Sequence, residues 1–299
     1  MKKIIINFLV LAIVKTKIIL LLEKKIFHYR SLKYQGKSFL PYLKNNTFDY
    51  LISTVLYFRF YYRNLNDPNK QRRISLNTLG DGEGKYWAKH YYYTEVGHKN
   101  SPQQVVKARN NIYEETIKLI NNYNLDKEDN LFIILGSSSG NGIEFFYNHF
   151  KKFKYISIDV NQEIISFQKE VLNIPNIKYH VGTSEKAADI IKKYQNNNSK
   201  ILIFTNGTLQ YEIPYFLNEM FKSLKTINNK IYFGLSEHYE KIFGENINIK
   251  SYHRKNILWV HNYIQYVKEN NFNILFQRVN GEGIRNLNLC LIFSNKTSI

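Results

Sequence analysis

The second half of the chain alternates short, continuously apolar runs with longer helical patterns, and few architectures accept that rhythm. Leu131–Leu135 (LFIIL), Tyr155–Val160, Ile177–Val181, Ile201–Thr205 (ILIFT) and Lys230–Leu235 are each five or six residues long. Runs of this kind mark strands buried on both faces, as in a parallel sheet. Between them, Ile143–Phe150, the stretch after Val160 through about Leu172, Ile190–Tyr194 and Tyr215–Leu224 read as helices. Gln103–Tyr123 precedes the first strand as a helix, with Ser101 placed to cap it and Pro102 in its first turn. Asn256–Asn270 reads as a further, aromatic helix that takes in Trp259 and His261. Phe272–Val279 and Ile284–Phe293 then form two strands joined through Asn280-Gly281-Glu282-Gly283, a hairpin signal. The spacing predicts an α/β fold: a doubly wound, mostly parallel seven-stranded sheet with a C-terminal antiparallel hairpin.

Composition bounds the rest. In 299 residues, 44% are hydrophobic, enough for a full core. The one cysteine, Cys290, excludes an intramolecular disulfide framework and a cysteine zinc cluster. The eight histidines show no metal-ligand spacing, so no metal site is expected. The formal charge of +18 is uneven: residues 1–75 alone carry +12. This basic, apolar and helical N-terminal extension is separated from an α/β domain over 76–299, whose first part, 76–101, is a candidate lid. Lys85–Tyr93 in that part is an aromatic cluster, which serves equally well as core packing. A nucleic-acid partner is not expected, because the basic residues cluster away from these aromatics.

Residues 1–25 join an apolar run to six lysines and a single acid, Glu23. Two lysines interrupt the only window long enough to span a bilayer, and each costs about 2.5–3.5 kcal/mol at a helix centre. The pattern suits an interfacial helix lying on an anionic membrane surface, with the α/β domain in the cytoplasm at its inner face. Packing of the same helix on the protein's own domain is the alternative.

The chemistry sits at two strand ends. Gly136-Ser137-Ser138-Ser139-Gly140-Asn141-Gly142 follows the first strand directly and leads into a helix. Glycines there let a ligand approach the backbone closely, and the helix start offers amides. Asp159 ends the second strand, where an acid accepts both hydroxyls of a ribose. In this order, these features resemble the class I S-adenosylmethionine-dependent methyltransferases over roughly residues 102–299. The resemblance places Gly140 and Gly142 on the last two motif glycines, Ser138 on the first, and Gly136 on the motif acid. The last two are departures from the family pattern, and the missing acid weakens contact with the methionine part of the cofactor.

The resemblance implies S-adenosylmethionine as cofactor and a small-molecule acceptor. It puts the adenine-side contacts at Thr183 and Ser184, and the methyl-transfer loop after strand four at Asn206 and Gly207. Strand four and the basic N-terminus are similar to bacterial methyltransferases of surface-sugar biosynthesis, which points to a sugar hydroxyl. The loop after strand five, Ser236-Glu237-His238-Tyr239, joins the same cleft, and Glu237 with His238 offers a catalytic base for a hydroxyl. Two alternatives stand beside this reading. One is a non-catalytic Rossmann-like nucleotide- or sugar-binding protein. The other is a nucleic-acid methyltransferase, against which the segment after strand four lacks the paired prolines of base-directed members.

Overall fold

The computed structural model describes residues 67–69, 103–172, 174–239, 251–255, 258–281 and 287–295. The expectations for residues 1–25, for the rest of the basic extension and for the 76–101 lid lie outside them. The chain divides into two compact units, Met1–Gln71 with His253–Leu258 and Arg72–Tyr252 with Trp259–Ile299. The main sheet belongs wholly to the second.

In chain order the elements are α1 (Gln103–Asn122), β1 (Leu131–Leu135), α2 (Asn141–His149), β2 (Lys154–Asp159), α3 (Gln162–Val171) and β3 (Lys178–Val181). Then come α4 (Ala187–Tyr194), β4 (Ile201–Asn206), α5 (Pro214–Lys225) and β5 (Ile231–Tyr239). The chain closes with β6 (Ser251–Lys255), β7 (Leu258–His261), α6 (Tyr263–Glu269), β8 (Phe272–Asn280) and β9 (Leu287–Asn295). Single 3-10 turns at Ser184–Lys186 and Leu209–Tyr211 follow β3 and β4.

Seven strands form one sheet in the order β3-β2-β1-β4-β5-β9-β8. The first five are parallel, and β9 runs antiparallel to both β5 and β8. This is the α/β, doubly wound seven-stranded fold with an antiparallel C-terminal pair that the sequence pattern predicts. All five residues of β1 are buried, because helices cover both faces. On one face Leu131, Ile133 and Leu135 join Ile191 of α4, Leu217 and Phe221 of α5, and Tyr263 and Val267 of α6. On the other, Phe132 and Ile134 join Ile112 and Ile120 of α1 and Phe146 of α2. Each fully buried Leu, Ile or Phe contributes about 1.5–3 kcal/mol.

Two differences from the sequence reading bear on the site. The helix expected over Asn256–Asn270 is a strand, β7, followed by the shorter α6. Its break has a local cause: Asn262 caps α6, accepting from the Gln265 N–H at 3.2 Å. His261 therefore lies in a strand and not in a helix. Finally, β5 runs on through Tyr239 because β9 pairs with it residue by residue from Tyr232 to Tyr239. Ser236–Tyr239 is strand, not loop.

Candidate functional site

The strand order reverses between β1 and β4, the point beyond whose carboxyl strand ends open α/β sheets take their ligands. The glycine turn lies at this point. The Gly136 and Ser137 amides both donate to the Ile158 carbonyl, at 2.8 and 3.2 Å, tying the turn to β2. Gly136, Ser138 and Gly140 all have positive φ, of 61°, 50° and 90°. Ser138, on the first motif glycine, thus takes the left-handed conformation, which costs a non-glycine residue about 1–2 kcal/mol. Its amide donates to Asp159 Oδ2 at 3.0 Å, and the Asn161 amide donates to Oδ1 at 3.0 Å. The turn and the acid after β2 are therefore in direct contact. Burial raises the pKa of Asp159, and these amide hydrogen bonds oppose the rise.

A polar side chain from α3 braces the turn from below. Gln168 donates through Nε2 to Ser137 Oγ at 2.9 Å and to the Ser138 carbonyl, and its Oε1 accepts from Ser157 Oγ at 2.6 Å. Sequence reasoning missed Gln168 and Ser157. The available signal was a glutamine on the buried face of α3 beside Ile164 and Ile165.

Gly136 explains its own identity. A Cβ there would lie 2.1 Å from both Cγ2 and Oγ1 of Thr208. The side chain of Thr208 fills the space that an acid at position 136 would enter. Thr208 was also missed, since nothing in the sequence brings it beside Gly136.

Beside Asp159, Val160 and Val181 are 38% and 48% exposed, unusual for valines at strand ends. Val181 is the register partner of Asp159 on the neighbouring strand, and Val160 follows Asp159 in the chain. Thr183 and Ser184 follow, and both hydroxyls are engaged within the chain. Thr183 Oγ1 donates to Glu185 Oε1 at 2.7 Å, and Ser184 Oγ donates to Glu212 Oε2 at 2.6 Å.

After β4, Asn206 is exposed and Gly207 turns the chain with φ of 69°. The segment from Gly207 to Glu212 is pinned from several sides. The Gly207 amide donates to the Ser236 carbonyl at 2.8 Å. Glu237 Oε1 accepts from the amides of Thr208 and Leu209, each at 2.9 Å, and Oε2 accepts from that of Gln210 at 3.3 Å. Glu237 is fully buried, and desolvation pushes its pKa up to about 7 against these three amides and the Thr205 hydroxyl. The Tyr263 hydroxyl is buried with no hydrogen-bond partner, and burial, with the nearby charge of Glu237 adding to it, raises its pKa.

Successive strand residues point to opposite faces, so Glu237 and His238 do not face one another. Glu237 shares a face with Phe233 and Leu235, while His238, half-buried, shares one with Gly234 and Ser236. The paired acid and base expected from the sequence is thus not assembled. Glu237 serves the backbone of the β4 loop instead.

His261 completes the platform. Its Nε2 lies 3.1 Å from the Glu212 carbonyl, which only accepts, so Nε2 carries the proton. Nδ1 then accepts from Ser251 Oγ at 2.7 Å, and Ser251 Oγ accepts from the Tyr266 hydroxyl at 2.9 Å. Burial pushes the His261 pKa down to about 3, so the ring stays neutral. Among the described residues no group of three or more His, Cys, Asp or Glu side chains is placed to hold a metal ion.

No protein-family model matches the sequence, and no curated protein sequence matches it. Solved structures align with part of it at low identity. Magnesium protoporphyrin IX methyltransferase from Synechocystis PCC 6803, with bound S-adenosylhomocysteine, aligns at a TM-score of 0.46 and 10% identity, covering 76% of this chain and 100% of that one. A S-adenosylmethionine-dependent methyltransferase from Aquifex aeolicus aligns at 0.41 and 14% identity, covering 60% of this chain and 88% of the other. The 1,6-didemethyltoxoflavin-N1-methyltransferase of Burkholderia thailandensis aligns at 0.44 and 8% identity, covering 71% and 87%.

Proposed function

We propose that the chain is an S-adenosylmethionine-dependent methyltransferase acting on a small-molecule hydroxyl, such as that of a sugar in surface-glycan assembly. One observation carries this reading: the glycine turn after β1 and the acid after β2 touch, through the Ser138 amide and Asp159, where the strand order reverses. A nucleoside fits this arrangement. Asp159 is placed for the ribose hydroxyls, and the exposed valines 160 and 181 offer an apolar seat for the base. Gly140 and Gly142 open the backbone at the start of α2.

S-adenosylmethionine supplies an activated methyl group when bound. The chain's own part is positioning, since an in-line displacement needs alignment above all. Asn206 and Gly207 form the rim beside the transfer point, and Glu237 fixes that rim through the three amides after it. We assign His238 as the base that takes the proton of the acceptor hydroxyl. Thr183 and Ser184 shape the wall after β3.

A second reading has one observation in its favour. Gly136 stands where the family carries an acid, and Thr208 leaves no room for one. That suits a nucleotide- or sugar-binding protein without catalysis. Calorimetry with S-adenosylmethionine and S-adenosylhomocysteine decides: micromolar binding supports the methyltransferase, and no binding of either refutes it. A search for O-methyl sugars in the host's surface glycans before and after gene deletion then tests the acceptor.

A further inference from the structure

Three polar side chains lie buried beneath the glycine turn. Gln168 and Ser157 are wholly buried, and Ser137 nearly so. Gln168 falls on the stripe of α3 that faces the sheet, three and four residues after Ile165 and Ile164. A neutral polar group in such a place is costly unless its donors and acceptors are met. Here they are met by one another. Gln168 Oε1 only accepts, so the Ser157 hydroxyl proton goes to it, at 2.6 Å. The Ser137–Ser157 contact of 2.7 Å then takes its proton from Ser137. Gln168 Nε2 gives one proton to Ser137 Oγ at 2.9 Å and the other to the Ser138 carbonyl. Turning the amide over would set Oε1 against that carbonyl, acceptor to acceptor, so its orientation is fixed. Every proton of the three polar groups is thus used inside the ring, save the one that leaves it for Ser138.

That outward bond falls on the strained residue of the turn. Ser138 is a non-glycine residue with φ of 50°. Its carbonyl is held by Gln168, and its amide donates to Asp159 Oδ2 at 3.0 Å. The two bonds grip the residue on both sides of its own φ and ψ. The other oxygen of Asp159 accepts from the Asn161 amide, and the Asn161 side chain caps α3. The helix that carries Gln168 is therefore tied to the same carboxylate at its N-cap. Without Gln168, the left-handed cost at Ser138 is no longer offset from the carbonyl side. The turn then spends less time in the conformation that aims the Ser138 amide at Asp159. A glycine at this position carries no such cost and needs no brace.

We propose that Gln168 is a positioning residue of the candidate site: through its ring with Ser157 and Ser137 it holds Ser138 in the left-handed conformation, and so holds Asp159 in place for a ribose. The proposal rests on the reading of the turn as a nucleoside site. Gln168 is fully buried and its amide protons are both engaged, so it acts through Ser138 and Asp159 and not by touching the ligand. The serine that stands on a motif glycine and the glutamine inside α3 form one unit. The brace supplies from the helix what a glycine supplies by having no side chain.

The experiment is calorimetry with S-adenosylhomocysteine on four full-length proteins: the wild type, Gln168→Met, Ser138→Gly and the double variant. Methionine keeps the reach of glutamine and removes both amide protons. Gln168→Met is expected to bind about 10-fold more weakly than the wild type, the affinity lost when a left-handed serine leaves its binding conformation. In the Ser138→Gly background the same replacement is expected to cost about 3-fold or less, because glycine keeps the turn unaided. Equal losses in the two backgrounds overturn the proposal and mark Gln168 as a packing residue only. Binding by Gln168→Met as tight as by the wild type overturns it too, and leaves the cofactor reading intact. Should Gln168→Met show no cooperative unfolding in urea, Ser157→Ala takes its place, since it removes one partner of Gln168 and leaves the others. A loss of about 2- to 5-fold that shrinks in the Ser138→Gly background supports the brace, and a loss that is absent or equal in both overturns it. Failure of the wild type to bind S-adenosylhomocysteine overturns the nucleoside reading and the positioning role with it.

Discussion

Replacing Glu237 with Gln removes a titration from the protein interior while nearly keeping the side chain's shape. In the folded chain this carboxyl is pushed up from 4.5 to about 7. The sign follows from linkage: the folded-state pKa is the higher, so the stability tied to the protonated form is present below about 4.5 and is lost as pH rises to about 7. At 1.36 kcal/mol per unit, the full loss is about 3 kcal/mol, and about 2.5 kcal/mol of it falls between pH 5 and pH 8. The glutamine does not titrate. Its amide oxygen replaces Oε1 toward Thr208 and Leu209, while its NH2 group meets the Gln210 amide donor to donor. That mismatch lowers stability by an amount that does not depend on pH. Asp159, also raised by burial, is common to both proteins and cancels. Urea unfolding of the two proteins at pH 5 and pH 8 measures the difference. The wild type should lose about 2.5 kcal/mol relative to Glu237→Gln over that interval. An identical difference at both pH values would refute the assignment of a raised pKa to the buried clamp.

Asp159→Ala should weaken S-adenosylhomocysteine binding about 10-fold or more by calorimetry. It should also lower stability, since the amides of Ser138 and Asn161 lose their acceptor. Gly136→Ala should destabilise by more than the roughly 1–2 kcal/mol of a left-handed non-glycine residue, because its methyl group meets Thr208. Combining it with Thr208→Gly should recover the steric part in urea melts, and no recovery would place the clash elsewhere. His238→Ala should cost about 100-fold in turnover with cofactor affinity unchanged, and an equal loss of both would assign it a structural role. The full-length protein should float with anionic liposomes at low salt while a chain starting near Thr47 does not, and equal flotation would move the membrane contact out of residues 1–25.

What was legible in the sequence is what local chemistry decides. The apolar runs gave the parallel strands because burial on both faces leaves no alternation to confuse them. The glycines at 136 and 140 and the acid at 159 announced the turn because backbone with positive φ and a strand-end carboxylate are local needs. The failures share the opposite cause. Ser236-Glu237-His238-Tyr239 is polar enough to read as a loop, yet β9, some fifty residues later in the chain, holds it as strand. That pairing sends Glu237 and His238 to opposite faces, so a contiguous acid and imidazole that look like one catalytic unit become two residues with separate work. Thr208 and Gly136 are far apart in sequence, and only the adjacency of β4 to β1 makes one the reason for the other.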